Sequence, residues 1–132
     1  MESIQELIKF TKNMVLLYVE DNVSTRESTV EFLDNLFKNI IQAEDGKEGL
    51  ELFHRHKIDL IISDVNMPKL SGIEMSKSIR EIDQNIPILM FSAHNEQQYL
   101  TQTNELGVNG YLLKPLDVEQ FLEKLWKIVL EL

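Results

Sequence analysis

The sequence predicts an α/β domain: a five-stranded parallel sheet, doubly wound with helices on both faces and carrying one extra helix at its N-terminus. Three observations lead there. Short apolar runs alternate with longer amphipathic ones along the 132 residues, without an internal repeat or low-complexity tract. The runs lack the polar alternation of a sheet with one wet face, so both faces must be covered. The gaps between them hold just enough residues for one crossover helix each, and right-handed crossovers favour double winding.

Taken in order, residues 1–13 mix Glu2, Glu6, Lys9 and Lys12 with Ile4, Leu7, Ile8 and Phe10. Ser3-x-x-Glu6 fits a helix N-cap, and Ile4, Leu7 and Ile8 make an apolar edge. This extension precedes the first strand, so it emerges at the sheet edge where the last helix finishes, and it is expected to pack near Trp126 and Leu130. A frayed tail and dimerisation through this helix are the alternatives. Residues 14–132 form the domain proper. Its strands are Met14 to Val19, Ile40 to Ala43, Asp59 to Ser63, Pro87 to Phe91 and Gly110 to Leu113. Helix starts are marked by Ser24-x-x-Glu27, Asp45-x-x-Glu48, Ser71-x-x-Glu74 and Asp117-x-x-Gln120. The helix after strand four, Glu96 to Leu106, is polar apart from Tyr99, Leu100 and Leu106, and a weakly anchored helix can shift. The last helix carries a core stripe of Val118, Phe121, Leu122, Leu125, Ile128, Val129 and Leu132, with Trp126 and Leu130 off it.

Composition removes several classes of function. Thirteen Lys plus Arg against 22 Asp plus Glu leave a formal charge of -9, which lacks the basic footprint that nucleic acid requires. The absence of cysteine excludes disulfides, thiolate nucleophiles and cysteine zinc sites. No apolar run approaches the ~20 residues of a membrane span, and the N-terminus does not resemble a signal peptide. A soluble cytoplasmic protein is the expectation.

In a doubly wound sheet the site lies beyond the carboxyl ends of the strands, where strand order reverses. Strand one ends in Glu20-Asp21, strand three in Asp64, strand four in Ser92-Ala93 and strand five in Leu113-Lys114-Pro115. Each alone is an ordinary turn or cap residue. Together they crowd three carboxylates into one cleft, and two carboxylates 4 Å apart repel by about 4 kcal/mol at an effective dielectric near 20. Oxygen ligands without His or Cys suit Mg²⁺, with Mn²⁺ as the substitute, and Lys114 adds a fixed positive charge.

These residues carry a family resemblance. Glu20-Asp21, Asp64-Val65-Asn66-Met67-Pro68 with Gly72, Phe91-Ser92-Ala93 and Gly110-Tyr111-Leu112-Leu113-Lys114-Pro115 resemble the receiver domain of two-component response regulators over about residues 14 to 131. The resemblance implies a (βα)5, flavodoxin-like and CheY-like sheet of order 2-1-3-4-5. It implies that Asp64 accepts a phosphoryl group from a phosphohistidine or a small phosphodonor. It further implies that Asp21, Asp64 and the Asn66 carbonyl hold Mg²⁺, with Glu20 acting through water, and that Lys114 pairs with Asp64 and then with the phosphoryl group. Lys114-Pro115 is a candidate cis peptide by the same likeness.

By the same resemblance, Ser92 donates to a phosphoryl oxygen and Tyr111 is the aromatic switch that turns inward with it. Asn66 and His94 flank the phosphoryl group and influence its lifetime. The implied partners are a histidine kinase or phosphotransfer protein upstream, and a protein target on the face formed by the helix after strand four, strand five and the last helix. A flavin-binding protein of related fold is a rival, but Glu20-Asp21 would repel the flavin phosphate. A haloacid-dehalogenase-type phosphatase would want Asp-x-Asp, whereas Val65-Asn66 follows Asp64. A receiver-like scaffold without phosphotransfer would need a broken site, and no expected group is missing.

Overall fold

The central strand, β1 (Val15–Val19), shows how the chain makes two cores from one sheet. Successive side chains on a strand point to opposite faces. Leu16 and Tyr18 enter one apolar cluster and Leu17 and Val19 the other, and all four are buried. β3 (Leu60–Asp64) and β4 (Ile88–Ser92) split in the same way and are buried at every position. This is why none of these strands shows polar alternation.

The computed structural model describes residues 3–93 and 99–132. β2 (Asn39–Ala43) and β5 (Gly110–Leu113) complete a five-stranded, all-parallel sheet in the order β2-β1-β3-β4-β5, as expected. One face is covered by α1 (Ile4–Thr11), α2 (Val23–Leu33) and α6 (Val118–Leu130). The other is covered by α3 (Gly46–Arg55), α4 (Gly72–Ile82) and α5 (Leu100–Glu105). The strands start or end one residue from the expected limits, except β5, which matches.

Four of the five expected caps form. Ser3, Asp45, Ser71 and Asp117 accept from the backbone N–H of Glu6, Glu48, Glu74 and Gln120 at 2.8–3.2 Å. The fifth is corrected: α2 is capped by Asn22, whose Oδ1 accepts from Thr25 N at 2.9 Å, so Ser24 lies inside the helix. Asparagine caps as well as serine does, and the acidic third position that drew attention to Ser24 is dispensable.

The N-terminal helix packs where expected, through partly different residues. Leu7 and Thr11 are fully buried, and Thr11 Oγ1 donates to Leu36 O at 2.6 Å. Phe10 meets the Trp126 ring edge-on at 6.2 Å. Ile4 is instead 45% exposed and Leu130 67%.

α5 is described from Leu100, and the Glu96 start expected for it lies outside the described residues. Thr103 is its sole buried residue, yet its C-terminal end is held. Arg80 of α4 donates to Leu106 O at 2.8 Å, Gly107 O at 3.1 Å and Ile86 O at 2.7 Å.

Candidate phosphoacceptor site

At the carboxyl edge of the sheet, strand register decides which side chains meet. Val19 pairs with Ser63, so Glu20 and Asp64 follow as neighbours one residue later, and Asp64 pairs with Phe91 of β4. Glu20, Asp64 and Lys114 continue the parity of Tyr18, Ile62 and Leu112, and therefore project towards α2 and α6. Ser92 and Tyr111 continue the opposite parity, towards α4 and α5.

Three backbone devices hold the first group in place. Glu20 Oε2 accepts from Asn22 N at 3.1 Å, while Arg26 Nη1 donates to the Glu20 carbonyl at 2.6 Å. Gly72 lets α4 begin against the strand end: its N–H donates to Val65 O at 2.8 Å, and a Cβ there would collide with the Asp64 carbonyl oxygen. The Lys114–Pro115 peptide is cis, and Lys114 N donates to Ser92 O at 2.8 Å.

Lys114 Nζ bridges the two buried acids, at 2.8 Å from Glu20 Oε1 and 3.1 Å from Asp64 Oδ2. Glu20, Asp21 and Asp64 each offer a carboxylate oxygen, and these atoms lie within 4.8 Å of one another. Burial, then the Glu20 charge, push the Asp64 carboxyl up to about 7, against the lowering effect of Lys114. Desolvation and the adjoining Glu20 also raise Asp21. Desolvation acts to lower Lys114, but the Glu20 hydrogen bond and the Asp64 charge outweigh it, so the ammonium is held above its usual range. With all three acids ionised, one lysine leaves the cluster two charges negative, which is the repulsion that, after burial, raises Asp64 and Asp21. Closely spaced oxygen donors with that residual charge could hold a hard divalent cation.

Ser92 is fully buried, and its Oγ lies 2.7 Å from the Tyr111 hydroxyl and 3.0 Å from Ala93 O. Asn66 is exposed, two residues past Asp64, and borders a separate concavity of ≈ 430 Å³ with Tyr99 and Gln102. His94 lies outside the described residues. The structure thus unites Glu20, Asp21, Asp64 and Lys114, joins Ser92 to Tyr111, and leaves the Asn66 side chain on the rim.

Sequence reasoning missed Tyr18 and the wall it belongs to. A cavity of ≈ 600 Å³ opens from Asp64 and Lys114 between α2 and the β5–α6 connection, lined by Tyr18, Ser24, Ser28, Thr29 and Leu116 among others. Burial pushes the Tyr18 phenol up to about 12, although its hydrogen bond with Thr29 acts the other way. The available signal was parity, because Tyr18 precedes Glu20 by two residues on one strand.

Residues 16–126 match the family model of the response regulator receiver domain. The chain belongs to that family. This receiver is 34% identical over 120 residues to chemotaxis protein CheY-3 of Vibrio cholerae, covering 89% of this chain and 92% of that protein. It superposes on the structure of chemotaxis response regulator CheY4 of Vibrio cholerae with a TM-score of 0.77 at 32% identity, covering 88% and 99% of the two chains. A chain in the co-crystal structure of the Saccharomyces cerevisiae histidine phosphotransfer signaling protein Ypd1 and the receiver domain of its downstream response regulator Ssk1 gives a TM-score of 0.79 at 28% identity, covering 92% of the receiver and 91% of that chain. Membership makes the protein a two-component signalling domain and takes precedence over the flavin-binding and phosphatase alternatives. No helix among the described residues is long and apolar enough to cross a membrane.

Proposed function

We propose that Asp64 is the phosphoacceptor of this receiver, and that phosphorylation there controls a protein partner. The observation that carries the reading is Lys114 Nζ held between Glu20 and Asp64 beside a carboxylate cluster with unbalanced negative charge. An Asp64 carboxylate oxygen attacks phosphorus of a phosphohistidine in a histidine kinase or phosphotransfer protein. A P–O bond forms, the P–N bond breaks, and its electron pair returns to the imidazole, which takes up a proton. Lys114, already 3.1 Å from Asp64 Oδ2, is positioned to donate to a phosphoryl oxygen on the product.

The donor set fits Mg²⁺ or Mn²⁺: Asp21, Asp64 and the Asn66 carbonyl would hold the ion, with Glu20 acting through water, and the ion would supply positive charge to offset that of the phosphoryl oxygens. Ser92 then donates to a phosphoryl oxygen and Tyr111 follows it. Asn66 and His94 are assigned influence over acyl-phosphate lifetime. The output face is α5, β5 and α6. The chain acts as phosphoacceptor rather than as a turnover enzyme, and a histidine kinase's phosphodonor side makes the cytoplasm its compartment. The N-terminal helix is an addition to the domain of residues 14–132.

The test is incubation with Mg²⁺ and acetyl phosphate or beryllofluoride, comparing wild type with Asp64→Asn by NMR and intact mass. A response that requires Asp64 is expected. An equal response in the Asp64→Asn protein, or none in wild type, favours the scaffold reading instead.

A further inference from the structure

β2 is an open edge of the sheet, and its own sequence does not guard it. Among the described residues it pairs with β1 alone. Ala43 O accepts from Glu20 N at 3.0 Å, so the backbone groups of Asn39, Ile41 and Ala43 face β1, and alternation turns those of Ile40 and Gln42 outward. Exposed edges are usually blunted by a charge, a proline or a bulge. Asn39-Ile40-Ile41-Gln42-Ala43 has none of these; its two isoleucines are half-buried, and Asn39 and Gln42 are exposed.

The charges that bracket the strand are opposite in sign. Lys38 precedes it and Glu44 follows it, both exposed. Lys38 shares a concavity of ≈ 490 Å³ with His56 and Lys57, whereas Glu44 N donates to Glu48 Oε1 at 2.8 Å, which brings a second acid to that end. Asp59 and Asp45 are already engaged: Asp59 Oδ2 accepts from Val15 N at 2.8 Å, and Asp45 lies 3.7 Å from Lys69. Asp34 and Lys47 fall outside the segment that Lys38 and Glu44 enclose.

We infer that β2 pairs antiparallel with β2 of a second copy, about a two-fold axis through Ile41. In that register Ile40 opposes the partner's Gln42 and the two exchange both backbone hydrogen bonds, while Ile41 meets the partner's Ile41 at the close, non-hydrogen-bonded position. Lys38 then opposes the partner's Glu44 on each side of the axis. A shift by two residues keeps outward groups opposite each other but sets Lys38 against Gln42, or Glu44 against Ile40, so charge selects the symmetric register. General repulsion between two chains of charge -9 is screened beyond about 8 Å at physiological ionic strength, whereas the paired charges are in contact. This pairing is independent of phosphoacceptance at Asp64.

Sedimentation velocity of the full chain, from micromolar to millimolar concentration at physiological ionic strength, reads the dimer, and a concentration-dependent one is expected. Lys38→Glu and Glu44→Lys should each weaken it by about tenfold, because two contacts per dimer turn repulsive, and combining them should restore it. The chain has no cysteine, so Ile41→Cys places a single thiol on the axis. Cα atoms about 4.5 Å apart at such a position are within disulfide reach, so oxidation should join two copies. Glu81→Cys, exposed on α4, should crosslink far more slowly. A chain that stays monomeric at every concentration overturns the pairing. So does a dimer that the single charge variants leave intact, or one that the combined variant fails to restore, since either result puts the contact on another face or in another register. Equal crosslinking rates for the two cysteine variants would overturn it as well.

Discussion

Ser92 Oγ and the Tyr111 hydroxyl are 2.7 Å apart, while Ser92 Oγ also lies 3.0 Å from the Ala93 carbonyl. A serine hydroxyl has one proton. If it is given to Ala93 O, Tyr111 must donate to Ser92; if it is recruited by a phosphoryl oxygen, the Ala93 bond is lost and Ser92 Oγ, with Tyr111 attached, is drawn toward the phosphoryl group. Tyr111 is thus hydrogen-bonded to the hydroxyl that a phosphoryl oxygen would recruit.

That linkage gives the first prediction. Driving a two-state protein from 1:99 to 99:1 takes about 5.5 kcal/mol of differential interaction. One charge-assisted hydrogen bond supplies about 1.5–3 kcal/mol, so Ser92 cannot act without Lys114. Ser92→Ala should still accept phosphate yet lose most of the beryllofluoride-dependent shifts in α5 and β5. Tyr111→Phe should keep the ring but weaken those shifts less. A full set of shifts in the Ser92→Ala protein would refute the coupling.

The raised Asp64 carboxyl sets a pH dependence. In chelator, the folded protein holds this proton up to about pH 7, whereas the unfolded chain releases it near 3.8. Between those values the native state binds more protons, so stability falls as pH rises through the window. Asp64→Asn removes this slope and should raise stability at pH 7.5 by on the order of a few kcal/mol. Thermal unfolding of both proteins from pH 4.5 to 8 in EDTA checks it; parallel curves would contradict the assignment. Added Mg²⁺ should then stabilise wild type but not the variant.

Burial of Leu7 and Thr11 makes the N-terminal helix part of the core. Leu7→Ala should cost about 2–5 kcal/mol in urea unfolding, as expected for a fully buried leucine. Removing residues 1–12 should also red-shift Trp126, which loses the Phe10 ring. Unchanged emission and stability would show a helix that does not pack in solution.

Capping of α2 separates two residues that sequence alone confuses. Asn22→Ala removes the acceptor for Thr25 N and should cost about 1 kcal/mol. Ser24→Ala lies within the first turn and should cost less than half of that. Equal losses would mean the helix begins at Ser24 after all.

Much of the molecule was legible without coordinates because its signals are local. Unbroken apolar runs such as Leu60 to Ile62 announce strands buried on both faces, and Asp45, Ser71 and Asp117 announce helix starts through a side chain that needs only its own third neighbour. The acids at strand ends were legible for a related reason, since one fold rule gathers all such ends at one edge. What stayed hidden depends on parity and reach between distant segments. Neither the Tyr18 wall of the cavity nor the bond from Thr11 to Leu36 has a local marker.

By itself, the order of residues determined that Glu20, Asp21, Asp64 and Lys114 would share an edge, because strand alternation and crossover handedness leave few other arrangements. Only the tertiary structure decided that Lys114 bridges Glu20 and Asp64, that Ser92 is engaged by Tyr111, and that Phe10 leans on Trp126. Those outcomes turn on contacts of a few ångströms between residues far apart in the chain, and no periodicity encodes such distances.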